Sequence, residues 1–486
     1  MNQHNFDQPM RQEPLGVIII FLNNLKKWSR VILVFAIPYV TGTDHRISFI
    51  SFLGISFFLI VAWSYLGWKN FFFHLAEGNF IINEGIFRKE QTLIPLDRIQ
   101  SVQLRQNLIQ QLLQLTSIVI DTAGSGKKEV TISALTQRYA ETLKKQLLSP
   151  KNEPETLERV AEAPMEDGPL IQFTMRDIFR VGLTENHFKG AFMIVGLFGY
   201  FTQYSEYMGM EDDTLWDETF NYIWTILPIF LLVFILISVI FSLWRTFLRY
   251  YNLSVTVKKE GVSVKSGLFK IEESFVPLQK IQFIKWQSNP LRKLIGYKSL
   301  AIYQASPLEV NRKKAVNIPG CNATHQAIIN HRFYPDINSD QEQYELKPER
   351  YWTARLLIIF VGFPALLAGI IYYFMDPMIA ILPGLFTVMA PFFVIRYASS
   401  FKVIIGDKWL KIQRGYVFTE TTLVEIHKIQ NTAIKQSIFQ KRGHLVSLKL
   451  YTASGCLRIP YINESLGYAL CNKLLYQIES SKQSWM

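Results

Sequence analysis

The chain has 486 residues, of which 49% are hydrophobic, 14% aromatic and only 19% charged. This composition argues against a soluble enzyme and favours an integral membrane protein. The formal net charge of +12 is compatible with binding to nucleic acid, with binding to anionic lipid, or simply with basic cytoplasmic loops. The distribution of the charge along the chain distinguishes these three interpretations.

The first 13 residues are polar and do not lead into a cleavable apolar core, so we expect no signal peptide. The chain has three cysteines, Cys321, Cys456 and Cys471, and none belongs to a CxxC motif. Because an odd number cannot pair completely, we interpret them as reduced thiols.

Residues 14–68 are predicted to form an interfacial helix followed by a first transmembrane hairpin. Pro14 to Trp28 mixes apolar residues with two lysines, which is typical of a helix lying at the membrane surface. Val31 to Val40 is apolar but short, whereas Ile47 to Trp68 is uncharged over 22 residues. The longer segment is sufficient for a core of about 30 Å at roughly 1.5 Å per residue.

Residues 69–148 are predicted to be a β-rich module that ends in a helix. Turn residues at Glu77-Gly78 and Asn83-Glu84-Gly85 divide its apolar runs into short strands. The expected elements are strands over residues 71–75, 79–82, 87–95 and 99–105, a helix over 108–113, a hairpin over 117–121 and 129–132, and a helix over 134–148.

The rest of the chain repeats this order of membrane segment and module. The predicted divisions are a linker at 149–169, an interfacial helix and second hairpin at 170–248, a module at 249–333, a linker at 334–350, a third hairpin at 351–395 and a module at 396–486. The interfacial helix of the second unit is assigned to Leu170 to Arg180. Segments 31–40 and 190–201 are close to the shortest length that spans a bilayer. We expect full spans and keep a re-entrant arrangement open.

One stretch occurs three times without gaps, at offsets of 182 and 148 residues. Such a repeat indicates duplicated units. The repeat signature consists of Gly85, Glu90, Pro95 and Gln100 in the first copy, Gly267, Glu272, Pro277 and Gln282 in the second, and Gly415, Glu420 and Gln430 in the third.

The charge distribution predicts which side of the membrane the modules occupy. They carry about +3, +10 and +8, whereas the segment from Tyr204 to Asn221 holds six acids and no Lys or Arg. Because positive residues stay in the cytoplasm, we expect six spans, with all modules and both termini on the cytoplasmic face of the bacterial inner membrane.

The three copies resemble the bacterial pleckstrin-homology type 2 domain, and three of them with six spans resemble the YdbT-like membrane proteins. The resemblance covers nearly the whole chain. It implies a curved β-sheet or partly open barrel closed by a C-terminal helix, here residues 134–148 and 466–478. Relatives of this type are linked to the cell envelope and its defence, often beside a smaller one-module protein, which is therefore an expected partner.

Two departures from the common pattern imply that the three modules are not equivalent. The third copy has Glu425 where the others have proline. The first copy lacks a glycine comparable to Gly296 or Gly443 after its short helix.

No motif indicates catalysis, a cofactor or a metal. Asp121 to Lys128 superficially resembles a phosphate loop but lacks its first glycine and its Ser or Thr, so a hairpin turn is favoured. The eight histidines have no metal-ligand spacing, and no GxSxG motif is present. We expect a protein that is not an enzyme, although a triad formed only in space stays open.

The repeated acids and the bases Arg98, Lys280 and Lys428 are interpreted as structural, in cross-strand pairs or on a solvated face, and the glycines as turn residues. Basic clusters in the second module are candidate contacts to anionic lipid or a partner: Lys258, Lys259, Lys285, Arg292, Lys293, Arg312, Lys313 and Lys314. Equally, these clusters are what any cytoplasmic juxtamembrane loop carries. Nucleic acid is not expected, because no recognition motif accompanies the charge.

The leading hypothesis is a membrane scaffold that presents three binding modules in envelope maintenance or stress defence. The alternative is a transporter or lipid-handling channel regulated by the modules. The long spans contain no Lys, Arg, Asp, Glu or His, which argues against a proton-driven carrier but not against a neutral lipid pathway.

Overall fold

The computed structural model describes residues 6–41, 46–122, 130–148, 171–185, 213–257, 261–305, 315–334, 344–374 and 377–480. The predicted linker at 149–169 and the short segment at 190–201 lie outside the described residues.

The first unit begins with helices α1 (Gly16–Thr41) and α2 (Arg46–Lys69), which pack against each other. Module 1 follows with β1 (Phe72–Ala76), β2 (Asn79–Glu84), β3 (Glu90–Pro95), β4 (Ile99–Gln106), α3 (Leu108–Leu112), β5 (Leu115–Thr122), β6 (Val130–Thr136) and α4 (Gln137–Leu148). These elements confirm the predicted strands and both helices to within a few residues. The phosphate-loop-like stretch connects β5 to its antiparallel neighbour β6, as expected for a hairpin.

The second unit consists of β7 (Ile171–Gln172), α5 (Met175–Leu183), α6 (Asp213–Tyr250), β8 (Ser254–Val257), β9 (Gly261–Ser266), β10 (Ile271–Pro277), β11 (Ile281–Ser288), α7 (Pro290–Leu294), β12 (Lys298–Gln304), β13 (Ala315–Cys321) and α8 (Ala323–Phe333). Its β8 to β13 and α7 to α8 form module 2.

The third unit consists of β14 (Tyr344–Leu346), α9 (Arg350–Leu357), a π-helical turn (Ile358–Gly362), α10 (Phe363–Phe374), α11 (Pro377–Ser400), β15 (Lys402–Ile405), β16 (Trp409–Arg414), β17 (Thr419–Glu425), β18 (Ile429–Lys435), α12 (Ile438–Arg442), β19 (Leu445–Thr452), β20 (Gly455–Asn463) and α13 (Glu464–Ser480). Its β15 to β20 and α12 to α13 form module 3.

Three helical stretches in the described residues are long and apolar enough to cross a membrane, namely Ile50–Lys69, Leu232–Tyr250 and Arg350–Phe374. Helix α1 packs on the first of them, and α11 packs on the third. Each stretch leads directly, or through α11, into a module. The membrane segments are therefore built into the same chain order that the sequence predicts.

Two helix predictions need correction. The interfacial helix and the short apolar segment of the first unit are one continuous helix, α1, because no proline or glycine interrupts the backbone until Pro38. The helix predicted at Leu170 to Arg180 starts later than expected: residues 171–172 form strand β7, and the helix, α5, covers Met175–Leu183. Helix α5 packs between α6 and β13, where its buried Val181 lies. The acidic stretch also becomes helical at its end, since α6 begins at Asp213.

A short extended segment ahead of each membrane segment pairs with the module that follows it. Met10 forms a bridge with Phe73 of β1, β7 pairs with β8, and β14 pairs with β15. In topological terms each membrane segment is an insertion between two neighbouring strands of one sheet. The structure thus places β14 in the stretch that was predicted to be a linker.

The strands form four sheets instead of three separate modules. Their orders are β1-β2-β3, then β6-β5-β4-β10-β9-β8-β7, then β13-β12-β11-β17-β16-β15-β14, and finally β18-β19-β20. Both seven-stranded sheets combine the second half of one module with the first half of the next. The hydrophobic cores follow the same rule: Trp409 of module 3 packs into the core of module 2, and Phe283 of module 2 packs into the core of module 3.

Candidate functional site: two seams and an exposed apolar and basic rim

The modules are joined by two antiparallel strand pairs. Strand β4 of module 1 pairs with β10 of module 2, which we call seam 1. Strand β11 of module 2 pairs with β17 of module 3, which we call seam 2. Paired strands satisfy each other's backbone N–H and C=O groups, so the seams join the modules through main-chain hydrogen bonds as well as side chains.

The two seams have the same register. Val102 lies opposite Phe275 in seam 1, and Ile284 lies opposite Leu423 in seam 2. The first members of these pairs are 182 residues apart and the second members 148, which are the offsets of the sequence repeat. The same contact between modules is therefore made twice.

The repeated glutamates of the second and third copies lie at the seams. The Glu272 carboxylate is 3.9 Å from the Arg105 guanidinium of module 1. The Glu420 carboxylate is 3.1 Å from the ammonium of Lys285 in module 2 and 2.8 Å from Arg414. These acids are thus used structurally, in pairs that cross from module to module. Glu90 has no preceding module and pairs at 3.9 Å with the exposed Arg88.

Lysines next to the seams extend into the preceding module. Lys280 donates a hydrogen bond to the backbone oxygen of Ile99, and Lys428 donates one to that of Gln279 at 2.6 Å. Burial lowers the pKa of both ammonium groups. The nearby carboxylates act in the opposite direction: Asp97 tends to raise the pKa of Lys280, and Glu425 that of Lys428. The equivalent base of module 1, Arg98, is exposed.

Seam 1 also has a contact that the sequence did not reveal. The Lys144 ammonium of α4 lies 2.6 Å from the carboxylate of Glu273 in β10. Burial tends to raise the pKa of Glu273, but the charge and hydrogen bond of Lys144, with a hydrogen bond from Ser263, lower it overall. The sequence around Lys144 predicts only an amphipathic helix. It does not indicate the ion pair, because the partner Glu273 is 129 residues away in the chain.

The signature glutamines are distributed unevenly. Gln282 is buried, and its side-chain oxygen accepts a hydrogen bond from the backbone N–H of Ala453, across seam 2. Gln430 is exposed. The backbone of Gln100 lies in β4. The prolines Pro95 and Pro277 and the replacing Glu425 each precede a short 3-10 turn that separates the third strand of a module from the fourth.

The signature glycines form tight turns that contact membrane helices. Gly85, Gly267 and Gly415 have φ values of +118°, +114° and +96°, and a Cβ at any of them would collide with the backbone three residues on. Glycine is therefore required to reverse the chain here. The turn of module 1 places the Phe87 ring, which is 88% exposed, 5.6 Å from that of Trp63 in α2.

The other two turns have corresponding contacts. In module 2 the N–H of Leu268 donates to the backbone oxygen of Leu248 in α6, and in module 3 the Tyr416 ring lies 6.1 Å from that of Phe392 in α11. Trp63 is six residues before the end of the apolar stretch Ile50–Lys69, a distance of about 9 Å along the helix at 1.5 Å per residue. The turns therefore pack near the ends of the helices that lead into the modules.

The short helices α3, α7 and α12 occupy equivalent positions in the three modules. Each begins at an equivalent cap residue whose side chain accepts a backbone N–H: Asn107, Asn289 and Ser437. The Gln111 amide of α3 donates at 3.2 Å to the backbone oxygens of Leu268 and Phe269, so that helix lies against the turn of the next module. We call the three turns and the three short helices together the rim.

The rim combines exposed apolar side chains with cations. Its apolar members are Phe87, Leu108, Leu112, Phe269, Leu291, Leu294, Phe418, Ile438 and Phe439, and its exposed cations are Arg88, Lys89, Lys270, Lys293, Lys441 and Arg442. Apolar groups flanked by Lys and Arg suit the interface of an anionic membrane.

The structure separates the basic residues that the sequence grouped together. Lys285 lies in seam 2 beside Glu420, and Arg292 pairs at 3.0 Å with Glu185. Lys293 is exposed on the rim. The remaining five, Lys258, Lys259, Arg312, Lys313 and Lys314, lie outside the described residues. In the described part of the chain, no group of three or more His, Cys, Asp or Glu could hold a metal ion.

Comparison with known proteins agrees with the tripled architecture. Residues 27–151, 217–330 and 356–478 match the bacterial PH domain model, and each match starts inside a helix that precedes a module. The chain belongs to the bacterial PH domain family. The family resemblance inferred from the repeat signature is thereby confirmed, and each match includes helical residues ahead of the module as well as the module itself.

A relative of nearly the same length supports the membrane assignment. The UPF0699 transmembrane protein YdbT of Bacillus subtilis (strain 168) is 26% identical over 461 residues, which cover 91% of this chain and 92% of that protein. No solved structure matches the chain. The chain is a membrane protein with three bacterial PH domains.

Proposed function

We propose that this protein is a membrane scaffold whose three bacterial PH domains act as one continuous binding surface beside the bilayer. The observation that carries the proposal is the double seam. Since β4 pairs with β10 and β11 with β17, the modules cannot act as three independently tethered domains. A rigid row suits the binding of an extended target, or of several identical ones, better than it suits catalysis at one centre.

The partner chemistry that fits the rim is anionic lipid headgroups. Each rim cation close to an anionic leaflet contributes about 1 kcal/mol. Of the eight basic residues proposed from the sequence, Lys293 is the one that joins this surface among those the structure describes. A role in envelope maintenance or stress defence, without enzymatic activity, remains part of this proposal.

The orientation of the modules is also proposed, from charge. Their excess of Lys and Arg and the acidic stretch 204–221 on the opposite side place the modules in the cytoplasm. A six-span arrangement requires a second helix beside α6 in addition to α1 and α11. Cysteines introduced at Glu206 and Lys313, with Cys456→Ser to remove the exposed native thiol, should be labelled from opposite sides of the membrane. Labelling of both from one side would contradict the orientation.

The binding proposal is tested by purifying the full-length tagged protein from membranes and measuring the lipid and protein that accompany it. The double variant Lys293→Gln/Lys441→Gln should lower the affinity for anionic lipid roughly thirtyfold, since two charges contribute about 2 kcal/mol. The matched control is Lys145→Gln/Lys473→Gln, which removes two lysines from the closing helices α4 and α13. Equal lipid retention by both variants, with no reproducible protein partner, would refute the proposal.

A groove among the membrane helices favours a second candidate, the handling of a neutral lipid. The groove has a volume of about 1030 Å³ and lies between α9, α10 and α11, with Trp352, Phe360, Phe386, Phe393 and Tyr397 in its lining. Its walls are apolar and fit an acyl chain. Lipid transfer between liposomes containing the full-length protein tests this candidate. Replacement of Phe386 by Trp should narrow the groove and slow transfer.

A further inference from the structure

The row of modules ends in two strand edges that have no partner among the described residues. Strand β3 of module 1 is the outer strand of the first sheet, and β18 of module 3 is the outer strand of the last. In the repeat, β3 is equivalent to β10 and β17, while β18 is equivalent to β4 and β11. Each end of the protein therefore offers the half of a seam that the other end lacks.

Side-chain burial shows what these edges are missing. Leu93 of β3 is 58% exposed, whereas its equivalents at the seams, Phe275 and Leu423, are 6% and 1% exposed. Module 1 thus has a large apolar residue at the position that is buried in both seams. No other described residue covers it on β3. Exposed apolar side chains on an unpaired edge are typical of a surface that pairs with another chain.

The register of the two seams predicts how the edges would match. Continuing the offsets places Leu93 opposite Thr432, Thr92 opposite Ala433, and Glu90 opposite Lys435. The last pair corresponds to Glu272 and Arg105 of seam 1, which form an ion pair. Glu90 and Lys435 are both exposed, and their charges are opposite. Arg98 is the equivalent of Lys280 and Lys428, and it belongs to module 1, as β3 does.

We propose that β18 of one molecule pairs with β3 of a second molecule of this protein and so forms a third seam between chains. The occupant is a second copy because the chain itself carries both halves of the contact, in the register it already uses twice. This inference concerns assembly and does not depend on what the rim binds.

Such a contact joins two different surfaces and leaves a free edge on each new copy. It therefore produces a closed ring or an open row instead of a two-fold dimer. Within the chain, the modules are joined at the seams while the turn of each module still contacts the membrane helix of its own unit. Repeating the same step therefore keeps all copies attached to one membrane.

Disulfide trapping in native membranes tests the proposal. Two full-length chains with different tags are co-expressed, both with Cys456→Ser, one with Thr92→Cys and the other with Ala433→Cys. Mild oxidation should give a mixed disulfide dimer that contains both tags. The positive control for register is Gln103→Cys with Ser274→Cys, an equivalent pair that seam 1 already places opposite each other within one chain.

A matched control moves one cysteine by a single position. Replacing Ala433→Cys by Ile434→Cys turns the thiol to the other face of the strand, and the dimer should fall at least about fivefold. The proposal would be overturned if Thr92→Cys were trapped as efficiently by Ile434→Cys as by Ala433→Cys. It would also be overturned if neither pair gave a dimer while the control disulfide at seam 1 formed. Trapping of either edge to a different protein, without a mixed dimer of this chain, would also overturn it.

A charge reversal distinguishes pairing from misfolding. Glu90→Lys alone and Lys435→Glu alone should each reduce trapping by about fivefold, as expected from roughly 1 kcal/mol for a cross-strand charge pair. The chain with both Glu90→Lys and Lys435→Glu should regain the dimer. Each contact between copies then again joins opposite charges, with the positive and negative positions exchanged. Absence of this rescue, in protein that unfolds at the temperature of the unmodified chain, would contradict the assigned register.

Discussion

The ammonium of Lys144 in module 1 lies 2.6 Å from the carboxylate of Glu273 in module 2. This pair connects the helix that closes one module to the strand that joins it to the next. Tyr334 makes a corresponding connection at seam 2, where its hydroxyl donates at 2.8 Å to the backbone oxygen of Leu423. The closing helices of modules 1 and 2, the second through Tyr334 directly after α8, thus contribute both to their own cores and to the contact with the following module.

Lys144→Met should destabilise the protein by about 1–2 kcal/mol, because it leaves the partly buried Glu273 without its main partner. Thermal unfolding of the detergent-solubilised full-length protein measures the effect. Arg138→Met, which removes an exposed charge from the same helix, is the control and should change the unfolding temperature little. Equal shifts for the two variants would contradict a role of Lys144 in seam 1.

Acid should weaken the seams. The pKa of Glu273 and of Glu420 is lowered: burial tends to raise each value, but Lys144 in the first case and Lys285 with Arg414 in the second outweigh it. A lowered pKa in the folded state contributes stability that is present above the unfolded value, about 4.3. That contribution is lost as the pH falls through the lower, folded value. Unfolding temperatures of the native protein and of Glu273→Gln/Glu420→Gln should therefore differ at neutral pH and converge only as the pH falls below about 4.3 and through the lower folded values.

Gly415→Ala should destabilise module 3 by at least about 1–3 kcal/mol, because φ is +96° there and a Cβ would collide with the Phe418 carbonyl. Gly443→Ala is the matched control: its φ lies outside the left-handed region, and a Cβ would meet Leu445 at an ordinary contact distance of 3.4 Å. Chemical denaturation measured by intrinsic fluorescence compares the two. A smaller effect at Gly415 than at Gly443 would show that the turn is not constrained as described.

Phe87 should be protected by a bilayer despite its high exposure in the protein alone. With Cys456→Ser, a cysteine at Phe87 should react with a membrane-impermeant maleimide at least about tenfold more slowly in liposomes than in detergent, as expected for an interfacial side chain. The control is Glu77→Cys, at the opposite end of β2 and about 20 Å away at 3.3 Å per residue. Equal protection at both sites would mean that the rim does not face the membrane.

The sequence predicted the local elements well where each element carries its own signal. The turns at Gly85, Gly267 and Gly415 could be read directly, since only glycine tolerates such a backbone. The short strands and closing helix of module 1 followed from apolar runs between turn residues. The sequence was less successful at α1, where two lysines in the middle of one helix were interpreted as the end of an interfacial segment.

What the sequence determined by itself is the existence of three related units, their family and their relation to apolar helices, because these follow from repetition and composition. Only the tertiary structure decided how the units are joined. Strand edges pair through backbone groups that every residue carries, so neither the seams nor the strands ahead of the membrane segments leave a pattern of their own. The same glutamate consequently has two kinds of environment: Glu272 and Glu420 are held at seams, while Glu90 stays exposed at the end of the row.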